Sequence, residues 1–175
     1  MRKVTYGAAV SLDGYIAGDN DRIDWLRWSD DVATITSRYW ETVDCVLVGR
    51  KTYDVGLKSG TKSYPGKVTY VFSRTARLET SDSLVQVSSD AVEFVRTLKH
   101  GDGNGICVMG GGQLAQGLLE AGLVDEVGCN IHPVLLGSGV PLFRVLSKQR
   151  ELELIESRTL DHGCVYLLYR IVGVS

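Results

Sequence analysis

The sequence predicts an α/β protein: a three-layer α/β/α sandwich whose mostly parallel sheet closes in an antiparallel C-terminal hairpin. Three observations carry this. Short apolar runs alternate with helix-periodic stretches over the first two thirds of the chain. Two strictly alternating runs flank a Gly-containing turn near the end. Two strand-to-helix turns are glycine-rich.

The elements follow in order. Val4 to Val10 is apolar with small residues and reads as a buried first strand. Asp30 or Asp31 would cap a helix in which Val32, Ile35, Tyr39 and Val43 share one face. Cys45 to Val48 is a short buried strand. Val68 to Phe72 is another, opened by the turn Tyr64-Pro65-Gly66, and Leu84 to Val87 is short and strand-like. Ala91, Phe94, Val95 and Leu98 have the spacing of an amphipathic helix. The glycine-rich turn 101–105 leads into a strand from Ile106 to Met109. A helix follows from Gly112 to Glu120, with Gly122 as its stop. Val124 to Ile131 returns as a strand. Glu151 to Leu154 alternates, and after Asp161-His162-Gly163 so do Val165, Leu167, Tyr169 and Ile171.

With 175 residues and no repeat or linker, the expectation is a single domain spanning 1–175. Hydrophobic content of 44% and charged content of 23% are those of a globular protein. A net charge of −2 carries no nucleic-acid footprint, so any phosphate recognition must be local. No apolar run approaches the ~20 residues of a membrane span, and no charged-then-apolar leader opens the chain. A cytoplasmic protein is expected. Cys45, Cys107, Cys129 and Cys164 are far apart and form no metal or dithiol spacing, so they read as buried free thiols, and no metal site is expected. His100, His132 and His162 are scattered, and none is assigned a catalytic role.

The chemistry concentrates at the turns. Gly49-Arg50-Lys51-Thr52 and Gly110-Gly111-Gly112-Gln113-Leu114 each follow an apolar run and precede a helix. Two such turns supply two helix N-termini with free amide donors, the arrangement that holds the two phosphates of a dinucleotide. Gly49 would let backbone approach a ligand, while Thr52 adds a hydroxyl and Arg50 and Lys51 add charge. Ser73 and Arg74 end the next strand, where ligands bind in open α/β sheets, and would favour a phosphorylated ribose. The cofactor expected is therefore NADPH. Gly110 to Ala115 also satisfies Gly-x-Gly-x-x-Ala. However, the Rossmann reading fails on position, because Asn130 stands where that motif wants an acid about 20 residues on. Asp13-Gly14 is a turn whose loop would lie over the ligand edge and serve as a lid.

Four segments together resemble the dihydrofolate reductase-like superfamily. They are Ala8 to Ala17, Val48 to Tyr53, Phe72-Ser73-Arg74 and Met109 to Gly112, in that order. Pro133 to Phe143 resembles the branch that contains the riboflavin-biosynthesis reductase domains. The resemblance implies an eight-stranded sheet with NADPH across the strand ends. It puts Ala9 and Ile16 at the nicotinamide and gives Gly49, Arg50, Lys51 and Thr52 the phosphates. Ser73 and Arg74 would take the 2′-phosphate, and Gly111, Gly112, Gln113 and Leu114 would complete the cradle. The chain departs from the riboflavin reductases in having Met109 where they carry glutamate.

The expected reaction is hydride transfer to a polarised carbon of a small pterin-, folate- or pyrimidine-like heterocycle. A carboxyl in an apolar pocket would supply the proton, with Asp30 the first candidate and Asp24 the second; a capping role for Asp30 is the alternative. Trp25 and Trp28 would either wall the substrate pocket or fill core. A riboflavin-pathway uracil reductase and a non-catalytic NADPH-binding protein stay open as alternatives. A homodimer is expected from the branch resembled.

Overall fold

The computed structural model describes residues 1–75 and 77–173. It contains β1 (Val4–Ser11), β2 (Tyr15–Ala17), α1 (Asp30–Glu41), β3 (Val43–Gly49) and α2 (Arg50–Lys58). Next come β4 (Val68–Phe72), β5 (Leu84–Val87), α3 (Ala91–His100), β6 (Gly105–Gly110) and α4 (Gly112–Glu120). The chain ends with β7 (Glu126–His132), β8 (Val140–Pro141), β9 (Leu152–Thr159) and β10 (Val165–Ile171). The eight-stranded sheet has the order β5-β4-β3-β6-β1-β7-β10-β9. Its strands run parallel from β5 through β7, and β10 pairs antiparallel with both β7 and β9. The parallel strands therefore all deliver their carboxyl ends to one edge.

Alternation along the strands builds two cores. Val4, Tyr6, Val10, Leu47, Ile106 and Val108 pack with Val95 of α3 and Ala115 and Leu118 of α4. Val46, Val48 and Cys107, facing the other way, pack with Tyr53 of α2 and with Tyr39 and Trp40 of α1. The layers are α/β/α. No helix among the described residues is long and apolar enough to cross a membrane.

Two details of α1 differ from the sequence reading. The cap is Ser29, whose side-chain oxygen accepts the Val32 amide at 3.3 Å, while Asp30 and Asp31 occupy the first turn. A serine hydroxyl reaches that amide as well as a carboxylate does, so three adjacent cap-forming residues leave the boundary ambiguous. Val43 belongs to β3, because the helix ends at Glu41.

The short β2–β8 pair is absent from the sequence reading. It ties the loop after β1 to the segment leading from β7. The Leu12 amide donates to the Val134 carbonyl and the Leu142 amide to the Gly14 carbonyl, both at 2.9 Å. The Asp13 carboxylate accepts the Leu136 amide at 3.0 Å and the Gly137 amide at 2.7 Å. The Ser11 hydroxyl donates to Asp13 at 2.6 Å. That donor first, then the Gly137 amide, holds the Asp13 carboxyl below its ordinary range.

Candidate functional site

The two glycine turns meet. β3 and β6 are parallel neighbours with Val48 opposite Gly110, so their ends lie side by side. A Cβ on Gly111 would stand 2.9 Å from the Gly49 Cα, and one on Gly49 would stand 3.1 Å from the Gly111 Cα. What approaches Gly49 so closely is thus the Gly111 backbone, where the sequence reading expected a ligand. Gly110 (φ 137°) and Gly111 (φ 93°) lie in the left-handed region that glycine alone adopts without strain.

The start of each helix shows what these ends are suited to. α1 is capped by Ser29 and α3 by Asp90, whose carboxylate accepts the Val92 and Glu93 amides at 3.0 Å. Both carry acids in their first turn. By contrast, α2 and α4 start from Gly49 and Gly111 with no side-chain cap and no acid in the first turn. Two positive helix ends therefore stand together, with no side-chain cap on their amides among the described residues. Cations increase the positive field. Arg50 opens α2, its Nε held by both Asp54 oxygens at 2.8 and 2.9 Å, and its Nη1 is buried with no partner among the described residues. Lys51 is exposed. The Thr52 hydroxyl lies against Gly110, 3.6 Å from where a Cβ there would be.

Ser73 and Arg74 follow β4, whose Phe72 is opposite Gly49, so they adjoin the α2 turn. Ser73 is buried and Arg74 exposed. Gln113 is exposed on the first turn of α4, and Leu114 packs into the core behind it. Ala9 lies near the end of β1, and Ile16, in β2, packs against the larger core. Two helix ends without a side-chain cap, in backbone contact, with the Thr52 hydroxyl and the Arg50 guanidinium beside them, supply the donor set that a diphosphate takes.

The acid expected from the sequence lacks the burial that motivated it. Asp30 is exposed in the first turn of α1. The Asp24 side chain is 73% exposed and lies 3.6 Å from Arg22. Neither sits in the apolar pocket whose desolvation would favour a protonated carboxyl. The tryptophans separate: Trp28 is 69% exposed, whereas Trp25 is half-buried with its ring edge-on to His132 at 5.3 Å.

His132 is the group the sequence reading missed. It is 1% exposed at the end of β7, opposite Ser11 of β1. Its Nδ1 accepts the Arg27 amide at 3.1 Å, with the Cys164 Sγ 3.6 Å away. A neutral ring so bonded carries its proton on Nε2, which is buried without a partner among the described residues. Burial first, then the Arg27 charge, lowers the His132 pKa. Asn130 is two residues earlier, opposite Ala9, and its Oδ1 is likewise buried and unpartnered. The legible signal was Asn130-Ile131-His132 itself: two polar residues at strand spacing in an otherwise apolar run.

The strand order, the three layers and the paired glycine turns define a dihydrofolate reductase-like protein. Residues 2–166 match the RibD C-terminal domain family, and the chain belongs to it. The uncharacterized Bacillus subtilis (strain 168) protein YyaP is 32% identical over 99% of this chain and 97% of its own length. The structure of a Shewanella sp. PV-4 protein, assigned provisionally to riboflavin biosynthesis, superposes with a TM-score of 0.85. It is 28% identical, covering 97% of this chain and 98% of that one. Dihydrofolate reductase from Enterococcus faecalis, solved with NADP(H), shares the fold at a TM-score of 0.71 and 15% identity, covering 97% of this chain and 96% of that one.

Proposed function

We propose that this protein is an NADPH-dependent reductase of a small pterin-, folate- or pyrimidine-like heterocycle. The observation that carries the reading is the contact between Gly49 and Gly111, which sets two uncapped, acid-free helix ends side by side. In this reading the amides of both turns, with Arg50, Lys51 and Thr52, hold the diphosphate. Gly110, Gly111 and Gly112 present backbone to it, and Gln113 and Leu114 continue that wall. Ser73 and Arg74 take the 2′-phosphate, and Ala9 and Ile16 border the nicotinamide.

When bound, the cofactor supplies a hydride to the heterocycle. The chain's own residues orient the partners and exclude water. Trp25 walls the substrate side and Trp28 stands at its rim. Asn130 and His132 offer a buried acceptor and a buried N–H donor, the pair that an amide-like –NH–C=O edge requires. Asp30, then Asp24, are the candidate proton-transfer groups, acting from solvent-exposed positions once substrate covers them. The reading includes a cytoplasmic homodimer; four free cysteines suit a reducing compartment.

Thermal-shift titration tests the cofactor assignment, with NADPH expected to stabilise the protein more than NADH. Equal shifts, or none, would remove the role given to Ser73 and Arg74. NADPH oxidation across pterins, dihydrofolate and aminouracils then separates an enzyme from a binding protein.

A further inference from the structure

We propose that Arg144 is a diphosphate-binding residue at the α4 end of the cradle; this rests on the dinucleotide reading above. The segment Leu142–Ser147 is a strap along one face of α4. The Gln116 side-chain Nε2 donates to the Val145 carbonyl at 2.7 Å. The Glu120 carboxylate accepts both the Ser147 amide and its hydroxyl at 2.5 Å. At the other end, the Tyr6 hydroxyl donates to the Leu142 carbonyl at 2.5 Å and its ring meets Phe143 edge-on at 5.8 Å. Leu142 and Leu146 anchor the strap in the core.

Positions 112, 116 and 120 are one helical stripe. The strap contacts the last two with hydrogen bonds and the first with the Arg144 side chain. A Cβ on Gly112 would come within 2.8 Å of the Arg144 Nε and 3.4 Å of its Cδ. Gly112 is outside the left-handed region, so glycine serves there to make room for the arginine.

A guanidinium over a helix N-terminus has the wrong sign for the helix dipole. Arg144 is exposed and forms no ion pair or hydrogen bond among the described residues. α4 has neither a first-turn acid nor a side-chain cap that would compensate. The strap nevertheless holds this cation there at four points. An anion bridging the Arg144 guanidinium and the α4 amides satisfies both, and the buried unpartnered Nη1 of Arg50 lies on the adjoining helix end.

The diphosphate is common to NADPH and NADH, which gives the test. Fluorescence titration of Arg144→Ala should raise both dissociation constants by the same factor, about tenfold or more, leaving their ratio as in wild type. Gly112→Ala, which displaces the guanidinium while keeping its charge, should weaken both in the same direction by less. Circular dichroism should show an unaltered fold for each. If wild type binds NADPH and Arg144→Ala binds it equally well, the proposal is overturned while the cofactor reading stands. A loss confined to NADPH overturns it too, by moving Arg144 to the 2′-phosphate. If wild type binds neither nucleotide, the cofactor reading falls and takes the proposal with it.

Discussion

Replacing Gly111 with alanine tests the central contact directly. The new Cβ would be 2.9 Å from the Gly49 Cα and 3.3 Å from its nitrogen. Both are backbone atoms in a buried parallel strand pair, so no side-chain rotation relieves the clash. The alanine would also have to adopt φ 93°. A non-glycine residue in such a conformation costs about 1–3 kcal/mol, and separating the β3 and β6 ends adds to it. A total of about 2–4 kcal/mol follows, lowering Tm by roughly 5–15 °C for a chain of this size. The second consequence is specific: the α2 and α4 ends move apart, so NADPH affinity should fall more than stability alone explains. Urea unfolding and NADPH titration of the folded variant, measured below its transition, separate the two. Gly117→Ala is the control, because nothing lies within 4 Å of a Cβ there and it sits inside α4. That change should stabilise by about 0.5–1 kcal/mol and leave affinity alone. Gly111→Ala with wild-type Tm and wild-type affinity would refute the reasoning.

Three more outcomes are expected. Arg74→Ala should narrow the ratio of NADH to NADPH dissociation constants, and an unchanged ratio counts against a 2′-phosphate role. Ser29→Ala should cost about 1 kcal/mol and Asp30→Ala less, read from urea midpoints; the reverse order would restore Asp30 as the cap. The folded pKa of His132 lies below its ordinary 6.5, so the unfolded chain binds the proton first. Its contribution is therefore intact above about pH 6.5 and lost as pH falls from there through the folded value. Urea midpoints at pH 7.5 and 5.5 should drop more for wild type than for His132→Gln, and an equal drop would exclude His132 as the source.

The sheet was legible because buried parallel strands are written as short apolar runs, and Val68–Phe72 and Leu84–Val87 fall where the sequence puts them. The C-terminal hairpin was legible for the opposite reason, that its two strands alternate. β2 and β8 were not, since strands of two or three residues have no period to detect. The two glycine turns showed themselves through glycine, a residue whose presence needs explaining. Arg144 did not, because its partner is a glycine distant in sequence and one-half of a steric fit carries no local signal. The surroundings of the acid were not legible for a related reason: an aspartate before a helix looks the same whether it is buried, capping or exposed. Burial is decided by what packs over it, and nothing does at Asp30.

The four α-helices among the described residues divide by how they begin. Where the amides needed only to be satisfied, at α1 and α3, a serine or an aspartate satisfies them and acids offset the dipole. Where β3 and β6 end, that remedy is missing twice over; Arg50 and Lys51 open α2, and the Arg144 side chain lies against Gly112 of α4. A helix end so arranged is less stable alone than a capped one by about 1 kcal/mol, and two such ends in contact compound the repulsion. Selection for folding alone would have corrected it with a single Ser or Asp at position 49 or 111, were it not that a Cβ at 111 meets backbone. At 49, a small displacement would admit one. The anion proposed above would supply the missing charge, which is why the cofactor titration and the Gly111 variant interrogate the same physical quantity from two sides.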